Sequence, residues 1–175
     1  METNIRNKIN KLSIREKQVF AAFCVAKYCS WYGIQHKYIQ EYLLHLIDIV
    51  ATNNLPKWEG KGGCLKISGR GDFLPEELNL LYGNNRMIEF DELTQYTTEV
   101  GIINLCGEID NEPYEFLIKV ISILEKNKIP DLKIMLSNFK SKLDNSKDWG
   151  DVVSENELAT IKSKLLEIYS QEQRL

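Results

Sequence analysis

Apolar residues recur at three- and four-residue steps through most of this chain, and this period constrains the fold more than any other feature. Between residues 14 and 32 the apolar positions cover more than one narrow stripe of the helix that the period predicts. Such a helix is expected to bury several of its faces. We therefore predict a central helix that begins near Ile14 and ends at Gly33.

Two pairs of residues have the spacing of a capping box, Ser13 with Glu16 and Ser154 with Glu157. In this motif the serine hydroxyl accepts from the backbone of the third helical residue, whose side chain accepts from the serine N–H. The pairs predict one helix start near Ile14 and another just after Ser154.

The same apolar period predicts more helices along the chain. They are expected over 35–52, 88–106 and 132–143, with a short helix from Pro75 to Gly83 and another that opens at Pro113. A short turn separates the first two long helices, which favours an antiparallel helical hairpin. We predict an all-α fold of about six or seven helices in one compact domain, 1–175.

The segment 53–71 interrupts the helical period with five glycines, one proline and four basic residues. This composition predicts a long Gly-rich loop, with a short strand at 65–67. Its glycines suit a phosphate-binding loop, but neither GxxxxGK[ST] nor GxGxxG is present. A loop without a nucleotide is the better interpretation, and a role in partner contact stays open.

Acidic residues are concentrated between Asp72 and Glu115, where eleven Asp and Glu accompany one Arg, a net charge of -10. Residues 1–71 carry eleven bases and five acids (+6) and residues 116–175 carry ten and nine (+1), which gives the total of -3. If exposed together, these carboxylates attract a basic protein and speed its encounter. The predicted partner-binding residues are Glu89, Asp91, Glu92, Tyr96, Glu108, Asp110 and Glu112. The alternative is a solvated helix face, or pairing with the bases of residues 1–71.

Several classes of function are disfavoured. A nucleic-acid ligand needs a clustered basic face, which an acidic centre opposes. No apolar run is long enough to span a membrane and the first residues lack a secretory h-region, so we expect a cytoplasmic protein. The four cysteines form no CxxC pair, which argues against a metal. We predict no cofactor and no catalytic residues.

Two alternatives to a binding protein remain. Glu41, His45 and Asp48 share a face of the predicted second helix, where a carboxylate could orient the imidazole of a small hydrolase. A helical scaffold or regulatory subunit that oligomerises through apolar positions such as Trp58 or Trp149 is the other alternative. The sequence leaves the oligomeric state open.

The sequence EVGIINLCGEIDNEPYEFLIKVISILEKNKIPDL, together with FAAFCVAKYC earlier in the chain, resembles the small helical immunity proteins of bacterial polymorphic-toxin and contact-dependent inhibition systems. The resemblance lies in size, acidity and short helices. It implies an all-α protein without catalytic residues that binds a cognate toxin domain, often over the active site of the toxin.

Overall fold

The computed structural model describes residues 2–130 and 148–171, and within them the protein is entirely helical, with no strand. The eight helices are α1 (Glu2–Asn10), α2 (Ile14–Tyr32), α3 (Lys37–Asp48), α4 (Leu55–Gly62), α5 (Glu76–Tyr82), α6 (Asn84–Ile102), α7 (Glu112–Lys126) and α8 (Glu155–Ser170). They share one apolar core, so the all-α prediction is confirmed. The helix predicted over 132–143 lies outside the described residues.

Helix α2 is the centre of the bundle. All its residues from Ile14 to Ser30 are buried except Glu16, and the helix packs against α3, α6, α7 and α8. The Ser13–Glu16 capping box is present, since the Ser13 hydroxyl accepts from the Glu16 N–H at 3.3 Å. Gly33 ends the helix with a φ of 64°, which glycine adopts without strain. These predictions are confirmed.

Helices α3 and α6 both run antiparallel to α2. The Arg15 guanidinium, at the start of α2, donates to the carbonyl of Ile49 at the end of α3, as the predicted hairpin requires. On the other side, Gln18 donates to the Thr97 carbonyl at 3.0 Å, while Tyr28 lies beside the early part of α6. The start of α2 thus contacts the ends of both neighbours.

The prediction of an uninterrupted loop over 53–71 is wrong in its first half, which forms α4. The Asn54 side chain accepts from the Lys57 N–H at 3.0 Å, and Pro56 occupies the first turn, where it is tolerated. Trp58 anchors the helix in the core through a hydrogen bond to the His45 carbonyl. These contacts outweigh the low helix propensity of glycine. The expected strand at 65–67 is absent.

Other boundaries differ modestly from expectation. The helix predicted over 88–106 begins four residues earlier and ends at Ile102, and the one predicted over 35–52 is shorter. Helix α1 was not predicted, so with α4 the described helices exceed the six or seven expected. Within the described part of the chain, no helix is both long and apolar enough to cross a membrane.

Candidate functional site

Four residues of α6 share one face because they follow at steps of four, four and three: Ile88, Glu92, Tyr96 and Glu99. Ile88 and Glu92 are exposed, whereas Tyr96 and Glu99 are half-buried. The Tyr96 hydroxyl donates to the Glu92 carboxylate at 2.8 Å. This face therefore holds two of the predicted partner-binding residues, Glu92 and Tyr96, next to each other.

The loop between α6 and α7 and the first residue of α7 bring three more predicted contacts, Glu108, Asp110 and Glu112, to the surface, and all three are exposed. The Asp110 carboxylate accepts from the Glu112 N–H at 2.9 Å, which fixes the first turn of α7. Burial raises the pKa of Glu99 above its ordinary value, and the charge of Glu112 raises it further. That interaction places the start of α7 close to the end of α6.

These five residues, Glu92, Glu99, Glu108, Asp110 and Glu112, are called the acidic band below. Among the described residues, no basic side chain forms an ion pair with any of them. Arg70 and Lys119 lie near enough to Glu99 that their charges oppose the rise of its pKa. The other four residues are exposed, and within the described part of the chain none of them has a cationic partner.

Glu89 is different, because an internal network already neutralises its charge. Its side chain is 16% exposed and lies 3.1 Å from Arg86 and 3.2 Å from Lys126. Tyr28 and Asn127 also donate to it, at 2.8 and 3.0 Å. Burial alone would raise the pKa of Glu89, but these hydrogen bonds hold its pKa below the ordinary value of a glutamate. Glu89 is therefore a structural residue rather than a free charge.

Asp91 and Tyr96 are also partly engaged within the protein. Asp91 is half-buried and accepts from the Gln95 side chain at 2.9 Å. The Tyr96 ring lies 6.3 Å from the Phe116 ring, and the Lys119 ammonium is 5.1 Å from its centroid. Tyr96 thus links α6 to α7 as well as lining the exposed face.

Large apolar side chains are exposed around α5, a feature that was missed in the sequence. Phe73 is fully exposed, and Leu80, Leu81 and Ile88 are 79%, 62% and 68% exposed. Within α5 only Leu78 is buried, and Leu80 projects to the opposite side. The signal was available, since Leu78 and Leu80 cannot both face the core. Ile109, between two carboxylates of the acidic band, is also exposed.

The groups of the hydrolase alternative are not assembled into a catalytic pair. The His45 ring stacks on Trp58, with centroids 5.0 Å apart and planes inclined by 8°. Asp48 forms an ion pair with Lys162 at 2.5 Å. Among the described residues, neither Glu41 nor Asp48 hydrogen-bonds the imidazole, so a general base here lacks its orienting carboxylate.

The two tryptophans considered for the scaffold alternative are buried to different degrees. Trp58 is 4% exposed and belongs to the core, and is therefore not available for contact between subunits. Trp149 is half-buried and packs against the same core.

The cysteines and other metal-binding residue types are dispersed. Cys24 and Cys29 are buried free thiols, and burial raises the pKa of each. Cys64 and Cys106 are exposed. In the part of the chain that the structure describes, no three His, Cys, Asp or Glu side chains are grouped to hold a metal ion.

Comparisons with known proteins give no match: no protein-family model matches the chain, and searches of curated proteins and of solved structures find no significant similarity.

Proposed function

We propose that this protein is a cytoplasmic binding protein that neutralises a cognate toxin, as immunity proteins do, by covering a basic site with the acidic band. The protein performs no chemistry in this role. The observation that carries the proposal is the exposure of Glu92, Glu108, Asp110 and Glu112 without a cationic partner among the described residues.

The arrangement of charge and apolar surface supports a protein ligand. Exposed carboxylates steer a basic partner and fix its orientation, whereas apolar side chains that become buried supply much of the affinity. Ile88 lies at one end of the α6 face, and Ile109 lies in the loop at the other end. A protein surface with basic residues around an apolar centre would complement both features.

The test uses the reading frame directly upstream of the gene for this chain, where the gene of a large secreted toxin is expected for an immunity protein, and it expresses the C-terminal domain of the product. Its expression should arrest growth, and co-expression of this chain should restore growth. With the triple variant E108K/D110K/E112K, association measured by stopped flow should slow by about tenfold or more, with a weaker dependence on salt.

A matched triple variant, E41K/E155K/E167K, makes the same charge change at exposed positions outside the acidic band. We expect this control variant to restore growth and to associate with the toxin domain at a rate much closer to that of the natural protein. If co-expression does not restore growth, the toxin-neutralising role is wrong. If growth is restored but both variants associate equally fast, the acidic band is not the binding surface.

A further inference from the structure

A cleft separate from the acidic band lies between the end of α3 and α4. Its volume is about 450 Å³, within the range of small-ligand sites. The residues that line it include His45, Asp48, Lys57, Trp58 and Lys61. The cleft is formed by the segment in which a continuous loop was expected, so the folding of α4 creates it.

Two lysines give this cleft a positive wall. Lys57 and Lys61 are four residues apart on α4 and hence lie on one face of the helix. Both are exposed, and neither forms an ion pair with an acid of the described residues. Two ammonium groups on one side of a cleft are suited to an anion of more than one charge.

The floor of the cleft is a rigid aromatic pair. His45 stacks on Trp58, and the Trp58 indole donates to the His45 carbonyl at 2.8 Å, which fixes both rings. Within the described residues, neither imidazole nitrogen of His45 has a hydrogen-bond partner. Burial lowers the pKa of His45, so the neutral ring presents one N–H donor and one acceptor at neutral pH.

The charges around His45 come from four parts of the fold. Asp48 of α3 raises its pKa, whereas Lys61 of α4 and Arg70 of the following loop lower it. Asp48 is neutralised by Lys162 of α8. Arg70 is paired with Glu59. The cleft therefore keeps the two charges of its lysines, and no unpaired carboxylate among the described lining residues offsets them.

From this geometry we propose that the cleft binds a small phosphorylated molecule, with its phosphate group between the ammonium groups of Lys57 and Lys61 and the imidazole of His45. The volume exceeds that of a phosphate group alone, and the stacked rings of the floor supply a flat surface for the remainder of the ligand. This site is independent of the toxin-binding proposal.

Inorganic phosphate, added at neutral pH and constant ionic strength, is the probe, and the imidazole signals in proton–nitrogen NMR spectra are the readout. The chain has two histidines, so His36 is an internal reference. His45 should shift with saturation and its pKa should rise, because the bound anion stabilises the imidazolium. His36, which caps α3 and lies 3.5 Å from Glu77, should not respond in this way.

The double variant K57Q/K61Q should bind phosphate at least about tenfold more weakly. K8Q/K11Q, which removes the same charge from exposed positions outside the cleft, should bind as the natural protein does. Amide spectra of both variants establish that each is folded. If the His45 shift does not saturate, if His36 shifts equally, or if the two variants bind alike, the proposal is wrong.

Discussion

Gly101 lies in the last turn of α6, where this helix contacts the first half of α2. A Cβ atom at this position would come within 2.2 Å of Gln18 Oε1 and 3.0 Å of the Trp58 ring. Gln18 is fully buried and its amide donates to Thr97, so it is not free to swing aside. Glycine is required here by packing, although it lowers the propensity of α6 to be helical.

The substitution Gly101→Ala should therefore destabilise the protein by about 1–2 kcal/mol, because the cost of overpacking exceeds the gain in helix propensity. Gly60→Ala is the matched control, since nothing lies within 4 Å of a Cβ there. It should be neutral or stabilise the protein by up to about 1 kcal/mol. Urea denaturation measures both free energies of unfolding, and a stabilising Gly101→Ala would contradict this account of the α2–α6 contact.

A second prediction at the residue scale concerns Glu89. Its pKa is lower in the folded protein than in the unfolded chain, so the ionised carboxylate stabilises the fold at pH values above the pKa of the unfolded chain. This contribution is lost as the pH falls through the folded-state pKa. Glu89→Gln should lower the free energy of unfolding by about 1 kcal/mol or more at neutral pH, and the difference from the natural protein should shrink in acid.

Urea denaturation of the natural protein and of Glu89→Gln, repeated between neutral and acidic pH, measures this difference directly. Glu92→Gln, at an exposed position on the same helix, should change stability by less than about 0.5 kcal/mol. A difference for Glu89→Gln that stays constant with pH would show that the network does not depend on the charge of Glu89.

At the scale of single helices, α8 begins with the second capping box. The Ser154 hydroxyl accepts from the Glu157 N–H at 3.3 Å, and the Glu157 carboxylate accepts from the Ser154 N–H at 2.9 Å. Ser154→Ala should cost about 1 kcal/mol of stability. Ser163→Ala, at an exposed position inside the same helix, should be neutral or slightly stabilising, as alanine is the better helix former. Thermal unfolding of the two variants tests this difference, and equal midpoints would contradict it.

Capping residues and apolar period predicted α2 and α8 well because both signals are local. These two signals did not predict helix α4. Its cap, Asn54 with Pro56, is visible in the sequence, but its glycines argue for a loop. What decides the conformation is the burial of Trp58 against His45, a contact that depends on the position of α3.

At the scale of the whole molecule, the uneven distribution of charge was predictable from composition, but the fate of each carboxylate was not. Glu89 is neutralised because α6 and α7 run antiparallel, which brings Lys126 and Asn127 beside it. The same pairing leaves Glu112 next to Glu99, without an ion-pair partner in the described part of the chain. The sequence does not distinguish these carboxylates. The packing of α6 against α7 determines that Glu89 is neutralised and that Glu112, within the described residues, is not.

Helix α2 packs against four other helices, and this arrangement affects how the protein is degraded in a cell. If any one neighbour detaches, an apolar stripe of α2 meets water, and such stripes are what chaperones and proteases recognise in damaged chains. Quality-control machinery would thus encounter either an intact molecule or a substrate for degradation, with little in between.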